Sequence, residues 1–230
     1  MSLFRGSLSY VRFFVNGELP PGFEDRALAD IRKKLQRPLE PDDDDTERVG
    51  WCKVGEPFVL EVEHADVFYN EYVNLGFRTD RWAIPGALLK AKVAEAEAAY
   101  LTKKGRERLT RKEKTELKDL VSKRLRRGLA PQVRAHDVSW ALGEATVRFF
   151  GSSPRAQGAF VELFEKTFAL KLVREAPYTL AARLGLSRAQ ESEWEGAEAA
   201  TLAGAEDDEG PAVARRSERA GRAGRAGSRG

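Results

Sequence analysis

The chain has 230 residues, 42% of them apolar and 9% aromatic, enough to bury a real core in one or two small domains. Its formal net charge is +3, and its single cysteine, Cys52, excludes a disulfide within the chain. Met1 to Val15 lacks the apolar centre of a signal peptide, and no run of about 18 apolar residues predicts a membrane-spanning helix, so a reducing, cytoplasmic setting is expected.

Charge is unevenly distributed. Between Lys103 and Arg127 twelve basic residues face four acids, Glu107, Glu113, Glu116 and Asp119, a local charge of +8. The last twenty residues, Pro211 to Gly230, carry six arginines and one acid, or +5, which leaves −10 on the remainder. A basic segment on an acidic body is the electrostatic footprint of a phosphate-backbone binder; the plainer reading of any charge run is a solvated helix face.

Leu8 to Val15 reads as a strand with Val11, Phe13 and Val15 on one face. Pro20, Pro21 and Gly22 break the chain. Phe23 to Gln36 follows as a helix, with Ala27, Leu28, Ile31 and Leu35 at helical spacing. Glu40 to Glu47 is an acidic loop holding Asp42, Asp43, Asp44 and Asp45; its spacing matches no calcium loop, so it reads as solvated. Strands are expected at Gly50–Val54, through the alternating Phe58, Leu60 and Val62, at Val67–Tyr69, and through Val73, Leu75 and Phe77. Such a run of short strands suggests an antiparallel sheet.

Pro85 is placed to open a helix with Leu89, Val93, Ala96 and Tyr100 as its apolar stripe, and Gly105 to end it. Thr110-Arg111-Lys112-Glu113 is a capping box that starts a second helix. Its expected buried positions are Leu117, Leu120, Val121 and Leu125, and Gly128 stops it. The two form an antiparallel hairpin over residues 85–129.

A β-β-α-β pattern comes next. Val138, Trp140 and Leu142 alternate, Gly143 turns, and Ala145, Val147 and Phe149 alternate again. Ser153 caps a helix with Pro154 at its first position and Phe160, Leu163, Phe164 and Thr167 inward. Leu170 and Leu172 begin the last strand. Order fades after about Leu186, apart from a short helix at Glu191–Ala200. The Arg-Ala-Gly repeats at Arg219, Arg222 and Arg225 lack side chains that pack, so the tail is expected to be disordered.

Catalytic signals are poor. His64 with Glu61, Glu63 and Asp66 gathers four possible ligands, but on a strand Glu61 and Glu63 point away from His64. Cys52 beside Trp51 reads as a small buried residue. His136 and Asp137 are adjacent, which rarely lets two side chains converge. No phosphate-binding glycine loop and no nucleophile elbow occurs. No cofactor, no metal and no enzymatic activity are expected.

Residues Ala87 to Leu125 resemble the central helical segment of the RdgC family of bacterial recombination-associated proteins. The matching residues are Lys92-Val93-Ala94-Glu95-Ala96-Glu97-Ala98, Lys103-Lys104, and Thr115-Glu116-Leu117-Lys118-Asp119-Leu120-Val121. Gly50-Trp51 is similar to the family's Gly-Trp pair, and Val138 to Val173 fits the family's next segment. The resemblance covers roughly Met1 to Leu180. It implies a non-enzymatic protein that binds duplex DNA with little sequence preference, forms dimers and restrains RecA-promoted strand exchange. One departure lies at the end of the arm, Leu125-Arg126-Arg127-Gly128-Leu129-Ala130, which lacks the family's dimer-contact aromatic.

The sequence therefore predicts an α+β domain over residues 1–186, with a helical arm at 85–129, and a linker with a basic tail over 187–230. Its expected function is sequence-independent duplex DNA binding in recombination or nucleoid organisation, by a nucleoid-associated homodimer with RecA as a partner. The expected contacts are Lys103, Lys104, Arg106, Arg108, Arg111, Lys112, Lys118, Lys123, Arg126 and Arg127, with Lys114 and Arg124 nearer the apolar side. Two rivals are a protein-interaction module built on the hairpin and an RNA or ribosome binder.

Overall fold

The computed structural model describes residues 9–196. The expectations for Met1–Leu8, for the end of the Glu191–Ala200 helix and for the basic tail lie outside the described residues. The chain divides into two units, Met1–Leu184 and Gly185–Gly230. The second begins two residues before the start expected at 187, and its described helix spans Arg188–Glu195.

The first unit is α+β. Its strands are β1 (Val11–Asn16), β2 (Glu47–Cys52), β3 (Phe68–Tyr69), β4 (Tyr72–Arg81), β5 (Gln132–Ala141), β6 (Thr146–Phe149) and β7 (Lys171–Arg174). They form one antiparallel sheet in the order β2-β4-β5-β6-β1-β7, with β3 also paired to β4. Its helices are α1 (Phe23–Lys33), α2 (His64–Val67), α3 (Gly86–Lys104), α4 (Arg111–Arg126), α5 (Pro154–Phe168) and α6 (Pro177–Leu184).

Alternation along the strands builds the core. Val73, Leu75 and Phe77 of β4 share a face with Trp51, Val138, Trp140, Val147 and Phe149, and all are buried. Against that face α5 lays Phe160, Leu163, Phe164 and Thr167, the four residues its periodicity predicts. Phe160 stacks on Phe149 with ring centroids 4.6 Å apart. The Trp51 indole N–H donates to Thr167 Oγ1 at 2.9 Å, so this buried ring leaves no orphan donor. Gly50 is required beside it: a Cβ there would lie 2.5 Å from Gln36 Cα.

Four local expectations are corrected. Phe58, Leu60 and Val62 form no strand; the segment is a loop whose end buries Val62 in the core and whose start lies over the sheet's polar face. There Arg78 and Asp80 make a buried ion pair at 2.6 Å, with Phe58 under the guanidinium at 4.7 Å. The loop's carbonyls go to arginines instead of a ladder: Pro57 accepts from Arg78 and Val62 from Arg32. Gly50–Val54 is displaced to Glu47–Cys52. Val67 closes α2, so only Phe68 and Tyr69 pair as a strand. Leu120 is 58% exposed, and it sits about 100° round the helix from the buried Val121.

No described helix is long and apolar enough to cross a membrane. Cys52 is buried, and burial pushes its thiol up to about 12, which suits packing and not nucleophilic chemistry.

Candidate nucleic-acid interface

The helical arm forms as its sequence dictates. Gly105 ends α3 in the left-handed conformation at φ 61°, and the Arg106 N–H reaches back to the Leu101 carbonyl at 3.2 Å. The chain then turns into the capping box. Thr110 Oγ1 accepts from the Glu113 N–H, and the Glu113 carboxylate accepts from the Thr110 N–H at 2.8 Å. The same carboxylate takes Arg106 at 2.8 Å and the Tyr100 hydroxyl at 3.4 Å. Bonds from the Thr110 amide and hydroxyl, with Arg106 beside them, pull Glu113 down to about 2. Lys114 bridges to Glu97 at 2.9 Å and zips α4 to α3.

The arm buries little. No residue of α3 is buried, and α4 buries only Val121 and Arg126. Its alanines and capping chemistry hold the helices, while each supplies the other's main apolar contact.

The structure sorts the expected contacts into two groups. Lys103, Lys104, Arg108, Arg111 and Lys118 are exposed and have no ion-pair partner among the described residues. Lys112 makes only a long pair to Glu116 at 3.9 Å, and Arg106 is shared with Glu113. Arg111 and Lys118 fall seven residues apart, on one flank of α4 and about 10 Å along its axis. Residues 103–118 alone carry +5.

The second group is held by the rest of the fold. Lys123 pairs with Asp44 at 2.7 Å and Arg127 with Asp42 at 3.0 Å. Arg126 is only 5% exposed. Its guanidinium donates to the Asp43 carbonyl at 2.7 Å and lies over the Trp82 ring at 5.9 Å. The expectation that Arg126 faces a duplex is therefore corrected: it is an internal clamp. The acidic loop is corrected with it. Asp42 to Asp45 is not merely solvated but clasps the base of the arm, and Asp43 and Asp45 also hold Arg48 at 2.9 and 3.2 Å. Lys123 in turn pulls the Asp44 carboxyl below its ordinary range, through its hydrogen bond and charge.

The other candidates do not assemble a catalytic or metal site. His64 starts α2 and reaches Glu24 at 3.1 Å, while Asp66 caps the helix by accepting from the Glu63 N–H. His136 and Asp137 stand on opposite faces of β5, and the His136 Nδ1 meets the Phe150 carbonyl at 3.2 Å. No family model matches the chain, and no curated protein matches it.

Proposed function

We propose that this protein binds duplex DNA without sequence preference, through phosphate contacts made by the tip of the helical arm. The observation that carries the reading is the group of five exposed cations, Lys103, Lys104, Arg108, Arg111 and Lys118, without an ion-pair partner among the described residues, on a hairpin that buries almost nothing. Side chains of this kind contact phosphates without reading bases. The resemblance to the RdgC family supports the same reading and extends the proposal: a nucleoid-associated homodimer that acts on RecA-dependent recombination. Chemistry on a substrate forms no part of it.

The test is a salt titration with duplex DNA, single-stranded DNA and RNA side by side. Counterion release makes log affinity fall linearly with log salt, by about 0.9 for each duplex phosphate contacted. The expected result is a steep slope that is the same for unrelated duplex sequences. Affinity that ignores salt, or no binding at low salt, refutes the proposal. One observation favours a second reading. Leu88 and Leu120 lie exposed on the arm, as a protein-docking hairpin requires. That reading predicts a captured protein partner and no salt-dependent binding to nucleic acid.

A further inference from the structure

A second cationic site lies away from the arm, where the aromatic core stops. Strand register places Glu47, Arg81 and Gln132 in one row across β2, β4 and β5, and Val49, Thr79 and Arg134 in the next. Both rows share the face that carries Trp51, Phe77 and His136 further in. The first turns of α5 close over them with Ser152, Ser153 and Arg155. Between these elements lies a cavity of about 280 Å³, lined by Arg81, Arg134, Arg155 and His136.

The charge in this cavity is not balanced. Arg155 pairs with Glu47, but neither Arg81 nor Arg134 has an acidic partner among the described residues. Three guanidinium groups against one carboxylate leave an excess of +2. Repulsion between them disfavours the empty site. Strand pairing makes Arg81 and Arg134 diagonal neighbours on one face, in adjacent rows of β4 and β5, so the charges are not free to separate widely. The N-terminal end of α5 adds partial positive charge from the same direction.

We propose that this cavity binds a phosphomonoester dianion, held by the guanidinium groups of Arg81, Arg134 and Arg155. A monoester carries about −1.5 to −2 at neutral pH, which matches the excess; a backbone diester carries half of that. Planar guanidinium groups suit its oxygens in paired hydrogen bonds. The volume falls just under the range of drug-sized ligand sites, of roughly 300 to 1,000 Å³, which limits the occupant to a small phosphorylated molecule or the phosphorylated end of a strand. A continuous duplex does not enter a wedge of this size. The site stands independently of the arm and of its proposed function.

The experiment uses the full chain and inorganic phosphate as probe, titrated by calorimetry against chloride at matched ionic strength. Saturable phosphate binding is expected. Arg81→Gln with Arg134→Gln, both exposed positions, is expected to weaken it at least about tenfold while circular dichroism stays unchanged. Should that pair not fold, Arg155→Gln serves instead, since it leaves Glu47 to repel the anion. Alanine replacement of Lys103, Lys104 and Arg108 on the arm is expected to leave phosphate binding intact. A second arm compares short oligonucleotides with a 5′-phosphate and a 5′-hydroxyl. A preference for the phosphate that vanishes in the double variant assigns the site to strand ends; phosphate binding without that preference assigns it to a small molecule. Absence of saturable binding in the native protein, or equal binding by a folded cavity variant, overturns the proposal.

Discussion

At the tip of the arm, Lys103, Lys104, Arg108 and Arg111 are exposed and have no acidic partner among the described residues, whereas at its base Lys123, Arg126 and Arg127 are each held by the loop from Asp42 to Asp45. The side chains are the same in kind and belong to one helical hairpin. What differs is what the fold brings across. A run of charge read along the chain measures how many cations are present, but not how many are available. Here the base uses its charge to anchor the arm on the sheet, and only the tip is left to attract a polyanion.

The sharpest way to break this comparison is to strip the tip. Replacing Lys103, Lys104, Arg108 and Arg111 by alanine keeps helix propensity high and leaves the Thr110–Glu113 cap intact. If each contacts one phosphate, the salt slope becomes shallower by about 3.6. Between about 50 and 200 mM salt, the variant then loses roughly a hundredfold less affinity than the native protein does. A folded variant with the native slope removes the tip from the DNA interface.

The base should respond through stability instead. Arg126→Ala deletes a buried guanidinium that serves the Asp43 carbonyl and covers Trp82. Hydrogen bonds to charged groups contribute about 1.5 to 3 kcal/mol each, so a loss of that size is expected in urea unfolding, with the salt slope unchanged. Unaltered stability together with a slope shallower by about 1 would mean that Arg126 touches phosphate after all.

Base and tip can also be made alike. Asp42→Asn with Asp44→Asn frees Arg127 and Lys123 from their partners. These pairs are exposed, and exposed ion pairs contribute little to folding, so thermal unfolding should barely move. Duplex affinity should rise, with the slope steeper by up to about 2. Weaker DNA binding in the double variant contradicts the clasp as a neutraliser of charge.

Much of this was legible in the residues. The β-β-α-β segment followed its periodicities because each element buries a full face: Phe160, Leu163, Phe164 and Thr167 lie inward as spaced. The arm's turn was legible because Thr110, Glu113 and Gly105 act within a few residues of each other. The clasp was not, because Asp42 and Arg127 are far apart in sequence and acidic loops are usually solvated. Nor was the loop: Phe58, Leu60 and Val62 alternate as a strand does, and only Arg78 at the Pro57 carbonyl and Arg32 at the Val62 carbonyl take the backbone elsewhere. The wedge at Arg81 and Arg134 was invisible for a related reason. Strand register alone makes neighbours of residues about fifty positions apart.

Leu120 shows how little of the arm is core. Its helical spacing predicts burial, and burial predicts a loss of roughly 2 to 5 kcal/mol on truncation to alanine. At 58% exposure the structure predicts under about 0.5 kcal/mol instead, read from the midpoint of chemical unfolding. A large loss would mean that Leu120 is covered in solution, as it would be in a dimer formed through the arm; dependence of the midpoint on protein concentration would then confirm association.

The smallest expected effect separates tip from base by pH. Glu113 holds the turn of the arm, and its folded value of about 2 lies below the roughly 4.3 of an unrestrained glutamate. A depressed carboxylate stabilises above its unfolded value and stops doing so as pH falls through its folded value. The cap's contribution to stability should therefore be whole at neutral pH, decline as pH drops below about 4, and be largely lost near 2, where half of the folded molecules have Glu113 protonated. Chemical shifts of the Thr110 amide and the Glu113 carboxylate report it directly. Asp44 is also held below its ordinary range, by Lys123, so the clasp at the base loosens in the same direction. Glu113→Gln discriminates the two: it keeps a hydrogen-bond acceptor for Thr110 but no titrating group. The acid response of the tip should vanish in that variant while that of the clasp remains. If both responses vanish together, tip and base are a single cooperative unit and the distinction drawn between them fails.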